Sequence, residues 1–279
     1  IGMGLVRMVR PWNEWLIVWG YDINQPAPAV DEAHAKKVVR DLVGVQDLDV
    51  TIKQVSTWTV NNMYATTMSN RRVFCMGDAA HRHPPSNGLG SNTSIQDAFN
   101  LAWKLAFVLK GQAGETLLDT YTAERAPVAK QIVTRANKSI EEFGPIFKAL
   151  GLLDSIDPVK MQQNMDGRCR DTPAAEEQRA SIRKAIAAKV YEFDAHGVEM
   201  NQRYRSDAIV TDGQPEPVFT KDPELHFQQT TWPGARVPHA WVFSNDGKKA
   251  STLDLTGHGR FTVLTGIGST LADSRCLVI

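Results

Sequence analysis

The side chains best equipped for chemistry lie within residues 72–104, in the run RVFCMGDAAHRHPPSNGLGSNTSIQDAFNLAWK. The leading one is Asp78, which follows the apolar residues 72–76 in the dipeptide Gly77-Asp78. A carboxylate just past a buried strand is placed to accept hydrogen bonds from hydroxyls, such as those of a ribose or ribityl chain. Gly88 and Gly90 come next, and glycines let a backbone approach a flat or anionic ligand because they carry no Cβ. Ser91, Asn92 and Thr93 are candidate caps for a helix, whose first turn presents unpaired N–H groups and the positive end of its dipole. Such a helix start holds negative charge. His81 and His83, with Cys75 nearby, offer metal-ligand chemistry instead. They straddle a loop with no third ligand at familiar spacing, so no metal site is assigned. No Gly-x-Ser-x-Gly elbow is present, so the loop serines do not indicate a hydrolase.

The elements that must hold these residues follow from pattern. Residues 72–76 have strand length and composition. Pro84-Pro85, Asn87, Gly88 and Gly90 make a turning loop. Residues 93–110 read as a helix, with Ile95, Ala98, Leu101, Ala102, Leu105, Val108 and Leu109 on one broad face and Gly111 as its stop. The order is strand, acidic turn, proline and glycine loop, helix start: a cradle for a cofactor.

Composition bounds the class. The chain has 279 residues, 42% of them hydrophobic, and a formal net charge of zero. That is an ordinary globular composition with room for one large or two smaller domains. Zero net charge argues against a general nucleic-acid binder. No apolar run approaches a membrane span and no signal peptide is visible. The odd count of three cysteines, Cys75, Cys169 and Cys276, points to a reducing compartment, which makes the expected location cytoplasmic.

The run Gly77-Asp78-Ala79-Ala80-His81, then Pro84-Pro85, then Gly88-Leu89-Gly90-Ser91-Asn92-Thr93-Ser94-Ile95-Gln96-Asp97-Ala98 resembles the second flavin-binding motif of the single-component FAD-dependent aromatic hydroxylases. The version with His81-Arg82-His83-Pro84-Pro85 and Asn100-Leu101-Ala102-Trp103-Lys104-Leu105 is most similar to the phenol and chlorophenol 2-monooxygenase branch. The resemblance implies an α/β (α+β) fold of the p-hydroxybenzoate-hydroxylase type. It implies that Asp78 binds the FAD ribose and that Pro85, the one position set near the reacting edge of the flavin, is the catalytic candidate. The amides of Gly90, Ser91, Asn92 and Thr93 would face flavin N1 and the C2 carbonyl oxygen, and Gly77, Gly88 and Leu89 complete the cofactor-binding set. The reaction implied is hydroxylation of a phenol or chlorophenol, ortho to its hydroxyl, to a catechol. It would use FAD, NADPH or NADH, and O₂ through a C4a-hydroperoxyflavin. A homo-oligomer is expected, and net charge and the lack of an apolar span point to no nucleic-acid or membrane partner. Two alternatives stay open: a flavoprotein of this fold with another aromatic or polyketide substrate, and a non-catalytic chain unable to bind FAD alone.

The remaining chain divides, on this reading, into residues 1–70 as part of a substrate-binding sheet, 71–160 as the C-terminal part of the FAD-binding domain, 161–232 as helix and linker, and 233–279 as the start of a thioredoxin-like domain. Residues 4–12 and 15–21 read as a β-hairpin. Residues 31–43 are an amphipathic helix, and 49–55 alternate as a strand would. Residues 117–125 begin a helix that Pro127 kinks or restarts. It resumes over 128–143 until Gly144-Pro145 ends it. A long helix is expected over 174–195. Residues 201–236, rich in breakers, form a linker that wraps rather than packs. Residues 253–255 and 261–266 are expected strands. No Gly-x-Gly-x-x-Gly turn is present, although a dinucleotide domain needs one for the pyrophosphate. The expectation is a partial chain of a longer enzyme, with the phenol-deprotonating base in the part that is absent.

Overall fold

The computed structural model describes residues 4–22, 24–211, 213–265 and 277–278. The chain splits into two compact units, Ile1–Thr59 and Val60–Ile279.

In the first unit, strands β1 (Gly4–Arg10) and β2 (Glu14–Trp19) form the expected antiparallel hairpin, with Gly4 opposite Trp19 and Met8 opposite Trp15. Its turn places Trp12 at φ 64°, and the register shifts between Met8 and Arg10. Helix α1 (Glu32–Val43) also matches its pattern. The Asp31 side chain accepts from the His34 N–H at 2.7 Å, and Gly44 closes the helix at φ 81°. Ala35 and Val38 form its buried stripe, and Leu42 fills the space where a Cβ at Gly4 would lie. Leu5, Met8, Val9, Trp12, Trp15 and Leu16 of the hairpin stay exposed. Residues 49–55 are not a strand: alternation alone leaves backbone donors without a ladder unless an edge is present to pair with them.

The second unit opens with short pieces of sheet. Strand β3 (Met63–Tyr64) pairs with β6 (His81–Arg82), and β4 (Ser69–Asn70) pairs with β5 (Val73–Phe74). A 3₁₀ turn at Gly77–Ala79 and another at Ser86–Gly88 flank the loop. Helices α2 (Leu89–Leu109) and α3 (Thr116–Glu141) then pack antiparallel, the pairing running from Lys104–Thr120 at one end to Asp97–Arg125 further along. Two apolar clusters flank them. One gathers Met68, Ala80, Leu101 and Tyr121, and the other Leu89, Val128, Ile132, Ala195 and Val198. Burying such side chains contributes about 1.5–3 kcal/mol each for the larger ones.

Several expected boundaries move. Helix α3 runs through Pro127 without ending, because packing of Val128, Ile132 and Val133 on the core outweighs one missing backbone bond. Gly144-Pro145 lies inside α4 (Phe143–Ala149) instead of terminating a helix; in a first turn, proline removes an N–H that had no partner anyway. Helix α5 (Pro158–Gly167) follows, and the long helix expected over 174–195 is α6 (Pro173–Ala187) with separate short helices α7 (Val190–Phe193) and α8 (His196–Met200). The linker packs more than its breakers suggested, since Ser206 Oγ donates to Glu124 Oε1 at 2.7 Å. Beyond it, β7 (Trp241–Phe243) pairs with β8 (Lys249–Ser251). Residues expected as a strand are helix α9 (Thr252–Leu255), because Ser251 and Asp254 form a capping box. Strand β9 (Leu264–Thr265) pairs in parallel with β10 (Leu277–Val278). Gly266 and Cys276, named in the sequence reading, lie outside the described residues.

Between α2 and α3 sits a buried ion pair. Lys104 Nζ donates to Glu124 Oε2 at 2.7 Å and to Thr120 Oγ1 at 2.7 Å, and Asn100 Nδ2 reaches the same carboxylate oxygen at 2.7 Å. Burial pulls the Lys104 ammonium below its ordinary pKa, while Glu124 opposes that shift. Removing one partner leaves an uncompensated buried charge. Lys104→Met is therefore expected to destabilise the protein by about 3–5 kcal/mol in urea unfolding, and Lys104→Met with Glu124→Leu to recover most of that loss.

Candidate functional site

The site grows from one turn and one helix start. Gly77 has φ 57°, and a Cβ there would lie 2.9 Å from Ser94 Oγ, so glycine is required where the chain leaves β5. The turn exposes Asp78, while the Asp78 carbonyl accepts from Arg82 Nε at 3.0 Å. The carboxylate is left facing outward.

Helix α2 begins earlier than its sequence pattern predicts. Its N-cap is Gly88 in the left-handed conformation, φ 62°, and no side chain caps it. Ser91, Asn92 and Thr93 are thus residues of the first turns, not caps. Asn92 Nδ2 and Ser94 Oγ bond backward to the carbonyls of Gly88 and Gly90 at 2.9 and 3.0 Å, which leaves no side chain to satisfy the helix start. The 3₁₀ turn at Ser86–Gly88 runs directly into the helix and its i→i−3 bonds take up the N–H groups of Gly88 and Leu89, so the N–H groups left at the helix start are those of Gly90 and Ser91. Those of Asn92 and Thr93 close the first turns, and Thr93 is buried. Pro84 is buried and Pro85 exposed. Beside the helix start is a depression of about 290 Å³, lined by Leu89, Asn92, Thr93 and Gln96, by Ile132 of α3 and by Glu199, Met200 and Gln202.

Asp97, two turns into α2, joins these parts. It is fully buried. Its Oδ2 accepts from the Gly77 N–H at 3.1 Å and from His81 Nε2 at 2.9 Å, and its Oδ1 from Arg125 Nε at 2.7 Å. Burial disfavours the Asp97 charge, but the His81 hydrogen bond, the Arg125 charge and hydrogen bond and the Gly77 N–H outweigh it. The carboxyl is held below its ordinary pKa. Arg125, also fully buried, reaches Tyr204 Oη at 3.0 Å with Nη1, and Gln96 Oε1 and the Thr93 carbonyl at 3.3 and 3.4 Å with Nη2. Nearby, Tyr121 Oη donates to the Cys75 carbonyl at 2.9 Å, and burial raises its phenol pKa.

The two histidines separate in role. His81 is buried and tied to Asp97, with Nδ1 lacking a partner among the described residues. His83 Nδ1 donates to the Pro84 carbonyl at 2.7 Å, and its ring lies 3.7 Å from where a Cβ on Gly90 would stand. No cluster of three or more potential metal ligands occurs among the described residues. Asn87 is a residue the sequence reading passed over as a loop former. It holds φ 63°, and its Nδ2 donates to the Tyr191 and Glu192 carbonyls of α7 at 2.7 and 3.2 Å. The signal was there, since asparagine tolerates the left-handed region, but its partners lie a hundred residues away in sequence. In sequence Asp97 stands only as one residue of the contiguous motif, and Arg125 as a helix residue suited to packing and ion pairing with no partner named.

The residues present fit a ligand with hydroxyls and an electron-rich ring edge. An exposed carboxylate accepts from hydroxyls, and an uncapped helix start donates to acceptors. Comparison with known proteins agrees with that chemistry. Residues 2–136 match the family described as FAD binding domain. The chain is similar to the 2,4-dichlorophenol 6-monooxygenase of Delftia acidovorans, 58% identical over 267 residues that make 96% of this chain and 45% of the relative. It is also similar to the phenol 2-monooxygenase of Pseudomonas sp. (strain EST1001), 54% identical over 274 residues, 98% of this chain and 45% of that protein. Among solved structures, the flavin-dependent monooxygenase PieE in complex with FAD and substrate superposes with a TM-score of 0.83 at 45% identity, covering 94% of this chain and 45% of that one. The chain spans about 45% of the length of these relatives. Among the described residues no helix is long and apolar enough to cross a membrane.

The Asp97 pKa carries a sign. Because it is lower in the folded state than the ordinary 3.8, its stabilisation is complete above that value and is lost as pH falls through the folded value. Wild-type stability is expected to fall below pH 4 with a contribution of up to about 1.4 kcal/mol per pH unit from this group. Urea unfolding of Asp97→Asn across the acid range should give a shallower slope from a lower starting stability.

Proposed function

The chain belongs to the FAD-dependent aromatic hydroxylases, and from that premise we propose that the protein hydroxylates a phenol, ortho to its hydroxyl, to a catechol. The observation that carries the reading is the pairing of an exposed Asp78 carboxylate with the uncapped start of α2. Bound there, FAD supplies the redox and oxygen-transfer chemistry.

This chain's own residues bind and orient. Asp78 accepts from ribose or ribityl hydroxyls, with Gly77 making its turn. The N–H groups of Gly90 and Ser91 would donate to the ring edge, with Gly88 and Leu89 shaping the approach to it, and the helix dipole there favours negative charge. Asn92 and Thr93 hold the first turns in place beneath them. Pro85 would lie beside the reacting edge, where it presents no N–H of its own. The substrate is a phenol or chlorophenol, with NADPH or NADH as reductant and O₂ as oxidant. Residues 1–70 form part of the substrate sheet, 71–160 the C-terminal part of the FAD-binding domain, 161–232 a helix and linker, and 233–279 the start of a thioredoxin-like domain. The protein acts in the cytoplasm as a homo-oligomer.

The test is direct. The purified chain, incubated with excess FAD and desalted, is expected to retain flavin absorbance, and the full-length protein, with a phenol, NAD(P)H and O₂, to yield the catechol. Hydroxylation at another position, or of polyketides but not phenols, would overturn the substrate assignment. Loss of a hydrogen-bonded carboxylate is worth about 1.5–3 kcal/mol, so Asp78→Ala should weaken FAD binding about ten- to a hundredfold. Flavin fluorescence titration reads it.

A further inference from the structure

We propose that Asp97 and Arg125 are positioning residues that fix the spacing between the two halves of the cradle, so that a ligand reaching both is held far better than one reaching either. The proposal rests on the cofactor reading above and concerns residues outside the contact set.

The geometry is specific. The Gly77 N–H, next in the chain to Asp78, donates to Asp97 Oδ2 at 3.1 Å. Asp97 belongs to α2, the helix whose start forms the other half of the cradle, so one carboxylate joins the acidic turn to the helix that donates N–H groups. The opposite oxygen is held by Arg125 Nε at 2.7 Å, and Arg125 Nη2 returns to the same helix at the Thr93 carbonyl and Gln96. Arg125 Nη1 is held in turn by Tyr204 Oη at 3.0 Å and Gln202 Oε1 at 3.4 Å. His81 Nε2 donates to Asp97 Oδ2 at 2.9 Å and ties strand β6 to the same point. Both charges are fully buried, so the triangle of turn, helix and α3 has no water to relax into. A ligand that bridges two sites gains from the second contact only when their separation matches its own. FAD carries hydroxyls for Asp78 and a ring edge for the helix start, whereas lumiflavin carries the ring alone.

The readout is the ratio of the two affinities, measured by flavin fluorescence on the purified protein. Arg125→Lys keeps a positive charge beside Asp97 but cannot reproduce the planar fork. It is expected to lower FAD affinity about tenfold while changing lumiflavin affinity less than about twofold, since only the bridging ligand senses the spacing. A purely structural role would weaken both ligands in parallel, and that result, or an unchanged ratio in folded protein, overturns the proposal. Circular dichroism establishes folding. If Arg125→Lys does not fold, Tyr204→Phe carries the test: it removes the nearer of the two Nη1 acceptors, leaving Gln202, and should lower the ratio about threefold, an unchanged ratio again counting against the proposal. Wild-type protein that binds lumiflavin but shows no preference for FAD overturns the proposal and leaves the ring site standing. Wild-type protein that binds neither overturns the cofactor reading and this proposal with it.

Discussion

Burying charge between two helices is tolerable only when the charged groups find partners, and in the α2–α3 pair both buried carboxylates have each oxygen met. Glu124 is met by Lys104, Asn100 and Ser206, and Asp97 by Arg125, His81 and the Gly77 N–H. The two carboxylates come from opposite helices, so each helix supplies both an anion and a cation. That arrangement sets the antiparallel register, because sliding either helix by one turn would strand a buried charge. Everything around the cradle inherits this register: the position of the acidic turn, the depth of strand β6, and the place where α2 begins.

The loop between β6 and α2 is free to serve a ligand because others carry its structural load. Asn87 supplies the left-handed residue and fastens the loop to α7. Tyr191 of α7 is fastened to Asp222 through its hydroxyl at 2.7 Å, and Arg135 stands over its ring at 5.2 Å. Gly88 and Gly90, relieved of side chains, leave the helix start open. A cap such as serine at position 88 would have strengthened the helix and filled the site with its own oxygen. The missing cap is a local weakness consistent with binding something else there.

The first unit has a different character. Its hairpin and helix satisfy their own backbones, and Ala35 and Val38 form a small buried stripe. Yet most large side chains of the hairpin stay exposed, in a chain that spans about 45% of the length of its relatives. A two-stranded ribbon has two faces and cannot cover both by itself.

Local physics made much of this molecule legible in sequence. The hairpin followed from two strand runs around a turn, and α1 from the amphipathic pattern of residues 31–43. The turn at Gly77 and the helix after it followed from glycine, proline and a helical period, which are chain-local rules. The family was legible for the same reason: its motif is contiguous, so no folding is needed to read it. What only tertiary structure decided depends on distant partners. Residues 49–55 alternate but find no edge, Pro127 is overridden by core packing, and Gly144-Pro145 starts a helix because position within the turn governs proline. Asp97 is one more residue of the motif, and Arg125 the last of the helix expected over 117–125, with nothing local to pair them. Only the fold brings Asp97, Arg125, Gly77 and His81 within hydrogen-bonding distance, from positions as far as 48 residues apart in sequence. A carboxylate's meaning is set by what surrounds it once water has left, and no local pattern records that.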